Sequence, residues 1–165
     1  MIVVSNTTPL RYLIAIELES LFPRLFGKIF VPEGVHQELT HESAPMRVRQ
    51  VVRSRPDWYE VREVQPTPVR PFSVMLHAGE MEAILLAEQI KPQLLWIDDQ
   101  AGRTVALERK LPLSGTIGIL ERADRLGLVG NLPAVLVALK ASGFFISNAL
   151  EREILLRHRA RHGAL

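Results

Sequence analysis

The stretch that decides the fold lies at the start of the chain and reads Ile2-Val-Val-Ser-Asn-Thr-Thr-Pro9. Its apolar, β-branched first half is typical of a buried strand, and the proline predicts the first turn of a helix. The same order recurs in residues 28–39 and 94–110, where Lys-Ile-Phe-Val and Leu-Leu-Trp-Ile precede helical patterns. Short apolar strands that alternate with helices indicate βαβ units, and hence a parallel sheet covered on both faces.

The remaining segments fit this alternation. The pattern predicts two helices within residues 10–26, separated at Pro23. Residues 58–64 alternate like a half-buried edge strand, and the prolines that follow mark an irregular connection. These prolines are Pro66, Pro68 and Pro71. Further helices are predicted at 47–55, 79–90, 116–126 and 132–141 and from a Ser147 cap onward, with a short strand at 111–114.

Composition is that of a folded globular protein. The chain has 165 residues, of which 47% are hydrophobic and 23% charged, and we expect residues 1–165 to form a single domain. The absence of cysteine excludes a disulfide scaffold, a thiolate zinc site and a cysteine nucleophile. No stretch has the character of a membrane span or a signal peptide, so we expect a cytoplasmic protein.

Arginine dominates the basic residues, at 16 of the 20 Lys and Arg, although the net charge is only +2. The guanidinium group suits phosphate because it presents two parallel donors. Two arginine clusters therefore predict either a surface that holds a nucleic-acid backbone or two solvated helix faces. The clusters are Arg47, Arg49, Arg53 and Arg55, and Arg152, Arg157, Arg159 and Arg161.

Carboxylates and one carboxamide fall at or just beyond the predicted strand ends. Asn6 follows the first strand, Asp98 and Asp99 follow another, and Glu38 and Glu80 lie in helices that start near the same edge. Right-handed crossovers place the carboxyl ends of parallel strands on one edge of the sheet, where ligands bind. Carboxylates held together repel one another unless a cation such as Mg²⁺ is present. The sequence thus predicts a divalent-cation site, which can assist phosphodiester hydrolysis.

Local structure offers a second explanation for several of these side chains. Asn6 can cap the helix that follows it, and Asp98 can cap the next one. Asp99 can form an ion pair with Arg103 at i, i+4. Thr116, in a turn of small residues, is expected to serve close packing rather than to supply a hydroxyl at the edge of the sheet.

The glutamates differ in the face that they are expected to present. Glu80 shares a helix face with Ile84 and Ala87, which points its carboxylate toward the sheet, and it also suits the positive end of the helix dipole. Glu82 is expected on the opposite, solvated face. Glu38 is either a member of the cation site or a simple exposed residue.

Five blocks of sequence, in order, resemble the PIN-domain superfamily, and within it the PIN-like branch close to VapC-type toxins. They are residues 4–10 (VSNTTPL), 31–39 (VPEGVHQEL), 79–84 (GEMEAI), 97–103 (IDDQAGR) and 115–120 (GTIGIL). The resemblance covers nearly the whole chain. It implies a three-layer α/β/α sandwich with a central, mostly parallel sheet, and Mg²⁺- or Mn²⁺-dependent cleavage of single-stranded RNA. It also implies a homodimer and a cognate antitoxin protein.

By position, the acidic quartet of such nucleases falls on Asn6, Glu38, Glu80 and the Asp98–Asp99 pair, with Asp98 preferred as the ligand. Glu38, Glu80 and Asp98 would hold the metal, Asn6 would orient metal or water, and Asp99 would assist. PIN nucleases usually have aspartate at the first site, so Asn6 removes one negative charge. Two hypotheses follow: a metal-dependent endoribonuclease, the toxin of a toxin–antitoxin pair, or a catalytically weak or inactive PIN-like module that binds RNA or a protein partner.

Overall fold

A computed structural model describes residues 1–66 and 70–163, and its central feature is a five-stranded parallel sheet. The strand order is β3-β2-β1-β4-β5. The strands are β1 (Ile2–Ser5), β2 (Lys28–Pro32), β3 (Tyr59–Arg62), β4 (Leu94–Trp96) and β5 (Leu113–Ser114). The helices are α1 (Thr7–Ala15), α2 (Leu21–Leu25), α3 (Glu33–Thr40), α4 (Met46–Arg53), α5 (Ala78–Ile90), α6 (Gln100–Glu108), α7 (Thr116–Arg125), α8 (Leu132–Ala141) and α9 (Asn148–His162).

Strand β1 lies at the centre of the sheet, as its fully apolar, β-branched sequence predicts. It pairs in parallel with β2 on one side, where Val4 is opposite Phe30, and with β4 on the other, where Ser5 is opposite Trp96. All three strands run in the same direction, so their carboxyl ends meet at one edge. Asn6 and the two residues Asp98 and Asp99 follow strands that end at this edge.

Helices cover both faces of the sheet because successive strand residues point to opposite sides. Val4 and Leu95 pack on one face in a cluster with Ile84 of α5. On the opposite face, the Trp96 ring lies 5.7 Å from Phe22 of α2, measured between ring centroids. The predicted α/β/α architecture with a parallel central sheet is confirmed.

The chain divides into two compact units, Met1–Thr116 and Ile117–Leu165. The sheet and helices α1–α6 belong to the first unit, and α8 and α9 belong to the second. The single-domain expectation stays a prediction. Within residues 1–66 and 70–163, no helix has the length and apolar character needed to cross a bilayer.

The predicted break at Pro23 is wrong. Helix α1 ends earlier, at Ala15, and the chain then turns through Glu17, which has a positive φ of 65°. Pro23 lies inside the short helix α2, in its first turn, where its missing N–H would have no partner in the helix. Pro23 therefore marks the start of α2 and not the end of α1.

Most other predicted elements are confirmed. The helices predicted at 79–90 and 132–141 correspond to α5 and α8, and β3 is an edge strand. Ser147 caps α9, since its hydroxyl accepts a hydrogen bond from the Leu150 N–H at 3.1 Å. Pro66 and Pro71 lie in the irregular connection between β3 and α5, whereas Pro68 lies outside the described residues.

Shortening Leu95 to alanine is expected to lower the free energy of unfolding by about 2–5 kcal/mol, because the side chain is fully buried behind the carboxyl edge of the sheet. Leu107→Ala is the matched control: Leu107 is 65% exposed, and its substitution should change stability by less than about 0.5 kcal/mol. Urea denaturation measures both. Equal effects of the two substitutions would contradict the assignment of β4 to the core.

Candidate metal site

Asn6 stands at the junction between β1 and α1, with its backbone bound into the sheet. Its N–H donates to the Trp96 carbonyl at 2.9 Å, and its carbonyl accepts from the Ser5 hydroxyl at 2.8 Å. It occupies the N-cap position of α1, yet its side chain makes no capping hydrogen bond. The residue is only 5% exposed. Helix capping thus does not explain Asn6, and its carboxamide is available to another ligand.

Glu38 is held in place by two neighbours from other segments. Its Oε2 accepts a hydrogen bond from the Thr7 hydroxyl at 2.6 Å. Its Oε1 lies against Gly79, where a β-carbon would stand 2.6 Å from this oxygen. Glycine at this position therefore leaves room for the carboxylate. Although Glu38 is exposed, its side chain is bound across α1 and against α5, unlike a freely solvated glutamate.

Glu80 is a buried carboxylate in the first turn of α5, with 7% exposure. Its Oε2 accepts a hydrogen bond from the His77 N–H at 3.1 Å, which completes the helix start. Burial raises the pKa of Glu80; the bond from His77 opposes this effect, and the negative charges of Asp99 and Glu38 add to it. Burial together with two negative neighbours therefore disfavours the ionised form of Glu80, as predicted for a carboxylate of a cation site.

Asn6, Glu38 and Glu80 line one cavity of about 470 Å³, together with Thr7, Thr8, Arg11, Tyr12 and His77. These side chains come from the end of β1 and from α1, α3, α5 and the residue before α5. The predicted convergence of residues 6, 38 and 80, which lie far apart in sequence, is thus present in the structure. A second cavity of about 530 Å³ shares Thr7, Arg11 and Glu38 with the first.

Asp98 points both carboxylate oxygens at Thr116. Its Oδ1 accepts from the Thr116 N–H at 2.9 Å and its Oδ2 from the Thr116 hydroxyl at 2.6 Å. Burial raises the pKa of Asp98, and the bonds from Thr116 and the charge of Arg103 act in the opposite direction. The expectation that Thr116 serves packing alone is wrong, because its hydroxyl binds this carboxylate.

Asp99, not Asp98, caps helix α6, since its Oδ2 accepts from the Gly102 N–H at 3.1 Å. The ion pair predicted between Asp99 and Arg103 is not formed. Arg103 Nη1 instead donates to the Ile97 carbonyl at 2.9 Å. Neither Asp98 nor Asp99 is among the residues that line the cavity of Asn6, Glu38 and Glu80. The negative charge of Asp99 nevertheless acts on Glu80, whereas both oxygens of Asp98 accept hydrogen bonds from Thr116.

Glu82 is not the solvated residue that its helix position suggested. Its Oε2 accepts a hydrogen bond from the Gly34 N–H at 2.8 Å, and so satisfies a free donor in the first turn of α3. A β-carbon on Gly34 would stand within 3.0 Å of this carboxylate. Glu82 thereby ties α5 to α3, the helix that carries Glu38.

The donors fit a hydrated Mg²⁺ or Mn²⁺ better than an ion enclosed by protein ligands. Among residues 1–66 and 70–163, the carboxylates of this cavity do not bring three ligand atoms within 4.8 Å of one another. Mg²⁺ commonly keeps several waters and binds through one or two carboxylates and a substrate phosphate. The carboxamide of Asn6, which makes no capping hydrogen bond, and the buried carboxylate of Glu80, which has negative neighbours, supply oxygen donors of that kind.

Arg11 is a residue of the cavity that the sequence did not single out. It lies in α1 among apolar residues, lines both cavities, and forms no ion pair within the described part of the chain. An arginine in an otherwise apolar helical stretch was the signal that could have indicated it. A partly buried cation beside carboxylates is suited to binding an anionic substrate.

Most arginines of the two predicted clusters bind groups of their own compact unit. Arg152 and Arg159, by contrast, are exposed. Contacts within the chain therefore account for much of both clusters, and their binding of RNA stays a prediction. The partners are Glu19 for Arg47, the Ala44 carbonyl for Arg49, the Thr40 carbonyl for Arg53, His36 for Arg55, Glu121 for Arg157 and Asp124 for Arg161.

Comparison with known families identifies the class of protein. The model of a PIN domain family, DUF3368, matches residues 2–160, so this chain belongs to the PIN domain superfamily. Its structure is similar to that of a PilT N-terminus domain protein from the hyperthermophilic archaeon Sulfolobus solfataricus P2, with a TM-score of 0.51 and 16% sequence identity. The similarity covers 74% of this chain and 93% of the archaeal one and extends to the fold. No curated protein matches the chain.

Replacing Glu80 by glutamine is expected to stabilise the metal-free protein at neutral pH. The raised pKa of Glu80 means that its contribution to stability is fully present below the ordinary value of 4.5 and is lost as the pH rises through the raised pKa. Glutamine keeps the acceptor for the His77 N–H but has no charge to bury. In thermal denaturation between about pH 4 and about pH 8, Glu80→Gln should melt above the wild type at pH 7.

This stabilisation should shrink as the pH falls below 4.5, where Glu80 itself is protonated. Glu63→Gln, at an exposed position, serves as the control and should melt like the wild type at every pH. A Glu80→Gln variant that melts below the wild type at pH 7 would show that the carboxylate is not destabilised by its surroundings.

Proposed function

We propose that this protein is an endoribonuclease of PIN type that depends on Mg²⁺ or Mn²⁺ and cleaves single-stranded RNA. PIN domains are typically nucleases and generally use a divalent metal. The observation that carries the proposal is the cavity where Asn6, Glu38 and Glu80 meet, with the charge of Asp99 acting on Glu80. A divalent cation would relieve the repulsion that these carboxylates experience.

Glu80, Asp99 and Glu38 are the residues proposed to hold the metal, with Asn6 as an uncharged oxygen donor to metal or water. When bound, the metal would lower the pKa of a water and stabilise charge on the phosphodiester. Thr7 would keep Glu38 oriented through its 2.6 Å hydrogen bond. Asp98, with both oxygens bound to Thr116, would position the turn before α7 rather than bind the metal.

Substrate binding is proposed along the two adjoining cavities. Both contain Arg11, whose guanidinium would bind a backbone phosphate next to the carboxylates. The second cavity continues past Gln37, His41 and Ser43, which offer hydrogen-bond groups to an extended strand. An open groove with polar walls suits single-stranded RNA, because an unpaired strand can lie along it with its base edges accessible.

The biological setting is proposed from the motif resemblance. Similarity to VapC-type toxins supports a cytoplasmic toxin that is held inactive by an antitoxin protein. A homodimer is supported by large apolar side chains exposed in the second unit, including Val137 (64%) and Phe145 (86%). Such exposed apolar residues are typical of association surfaces when they form a patch.

Loss of the cavity carboxylates is expected to abolish cleavage. Glu80→Gln and Asp99→Asn should each lower the rate of cleavage of a fluorescent single-stranded RNA by about 100-fold or more, because each removes a charge from the metal site. Asp98→Asn should have a smaller effect. Removal of divalent ions with a chelator should stop the reaction, and Mn²⁺ should restore it.

Glu63→Gln controls for a general loss of negative charge and should cleave at the wild-type rate. The melting experiment on Glu80→Gln shows whether that variant is folded, so that a lost activity is not a lost structure. Cleavage that persists in the presence of the chelator, or in both Glu80→Gln and Asp99→Asn, would rule out the proposed mechanism.

A second candidate function is a PIN module that binds RNA or a protein partner without cleaving. It is favoured by Asn6, which lacks the negative charge that PIN nucleases usually carry at this site. Among the described residues, the carboxylates near Asn6 also do not form a group of three with all ligand atoms within 4.8 Å of one another. A weaker site of this kind would bind the metal with reduced affinity.

Asn6→Asp distinguishes the two candidates. For a native nuclease that uses asparagine, the added carboxylate should change the cleavage rate and the Mn²⁺ affinity by less than about tenfold. For a catalytically inactive module, the substitution should raise both by far more than tenfold from a background near zero. Calorimetric titration with Mn²⁺ and the RNA assay measure the two quantities on the same protein.

A further inference from the structure

A second group of potential metal ligands lies in the unit Ile117–Leu165, where Asp124 of α7 meets two histidines of α9. His158 Nδ1 lies 2.8 Å from Asp124 Oδ1, and His162 Nε2 lies 3.0 Å from the same oxygen. Within the part of the chain that the structure describes, this is the group whose three ligand atoms all lie within 4.8 Å of one another. No sequence motif considered above had indicated it.

We propose that Asp124, His158 and His162 form a binding site for a divalent transition-metal ion of the zinc, nickel or cobalt class. Two imidazole nitrogens and one carboxylate oxygen are a donor set that such ions prefer, whereas Mg²⁺ and Ca²⁺ prefer oxygen alone. The site is independent of the proposed nuclease function, because none of its residues lines the cavity of Asn6, Glu38 and Glu80.

Helix geometry supports the donor set. His158 and His162 are separated by four residues on α9, so their rings lie on one face of the helix, 4.7 Å apart between centroids. Ligand atoms about 2.1 Å from one ion lie about 3.0 Å apart at a right angle and about 3.4 Å apart at a tetrahedral angle. The two separations from Asp124 Oδ1, 2.8 and 3.0 Å, are close to the right-angle value, and the two imidazole nitrogens lie within 4.8 Å of each other.

Asp124 is oriented for this role by Arg161. The carboxylate is fully buried, and Arg161 Nε donates to its Oδ2 at 2.8 Å, which leaves Oδ1 facing the two imidazoles. Burial by itself would raise the pKa of Asp124, but the bonds from Arg161, His158 and His162 outweigh it and the pKa lies below its usual value. The carboxylate is therefore ionised, as a metal ligand must be.

Both signs of charge surround the group. Arg157 is paired with Glu121, and Arg161 contacts both Glu121, at 3.8 Å, and the ligand Asp124. Glu153 lies 3.7 Å from Arg157 and adds a third negative charge. The His162 side chain is 41% exposed, which provides a path for an ion to reach Oδ1 from solvent. A bound ion would join α7 and α9 and stabilise the second unit.

The test uses the full chain, free of any affinity tag and stripped of metal by a chelator. Titration calorimetry with Zn²⁺ in the presence of excess Mg²⁺, which competes for the oxygen ligands of the cavity of Asn6, Glu38 and Glu80 but not for imidazole nitrogen, should show one saturable Zn²⁺ site per chain. Under the same conditions, Zn²⁺ should raise the melting temperature. Co²⁺ used in place of Zn²⁺ should give visible absorption bands from coordination by nitrogen and oxygen. His158→Gln and His162→Gln should each weaken Zn²⁺ binding by at least about tenfold and lose the Co²⁺ bands.

His36→Gln is the control, because His36 is a histidine of the first unit that lines neither cavity, and its loss should leave Zn²⁺ binding unchanged. Circular dichroism of the metal-free variants shows that each is folded; His162→Gln, at the more exposed ligand, is the substitution expected to disturb the fold least. Absence of a saturable site in the wild type, or binding that persists in both histidine variants, would overturn the proposal. Neither result depends on whether the protein cleaves RNA.

Discussion

Parallel pairing of β1 with β2 on one side and β4 on the other is the constraint on which the candidate site depends. It brings the carboxyl ends of these three strands to one edge of the sheet. Asn6 and Asp99, which follow β1 and β4, therefore lie at the edge where the neighbouring helices begin. Apolar packing on both faces stabilises the sheet. This stabilisation offsets the electrostatic cost of a buried carboxylate at the edge of the sheet. The raised pKa of Glu80 reflects that cost, and the divalent cation proposed here would offset it.

The surroundings of Glu80 and of Asp124 shift the pKa values of these two carboxylates in opposite directions. Burial and negative neighbours raise the pKa of Glu80, and the backbone N–H and the side chain of His77 oppose this effect without cancelling it. Asp124 is also buried, but Arg161 and two histidines donate to it and lower its pKa. A cation at the first group would replace a missing positive charge, whereas an ion at the second would replace the protons between Asp124 and its histidines. The first calls for a hydrated, oxygen-binding ion and the second for a nitrogen-binding one.

Much of the fold was predictable because it depends on local pattern: apolar strands, the caps of α9, and the helix face that Glu80 shares with Ile84. The errors arise where a side chain binds a group distant in sequence. Glu82 binds the Gly34 N–H and Asp98 binds Thr116, and neither partner can be identified from helical periodicity. The Asp98–Asp99 pair shows the limit most clearly, since adjacent residues on one loop point to different partners, and which of them faces Glu80 is decided by the turn geometry. The sequence did not indicate the Asp124 group because its third member lies on another helix. The i, i+4 spacing of the two histidines alone does not define a metal site.

Residues from four separate segments, Asn6, Glu38, Glu80 and Asp99, are proposed to form one divalent-cation site. Crystals of the protein grown with Mn²⁺ test it directly, because the anomalous scattering of manganese locates the ion without reference to activity. We expect an anomalous peak in the cavity lined by Asn6, Glu38 and Glu80, on the side of Asp99. A cavity without a peak at saturating Mn²⁺, with each carboxylate bound only to Thr7, His77 or Gly102 as described above, would contradict it.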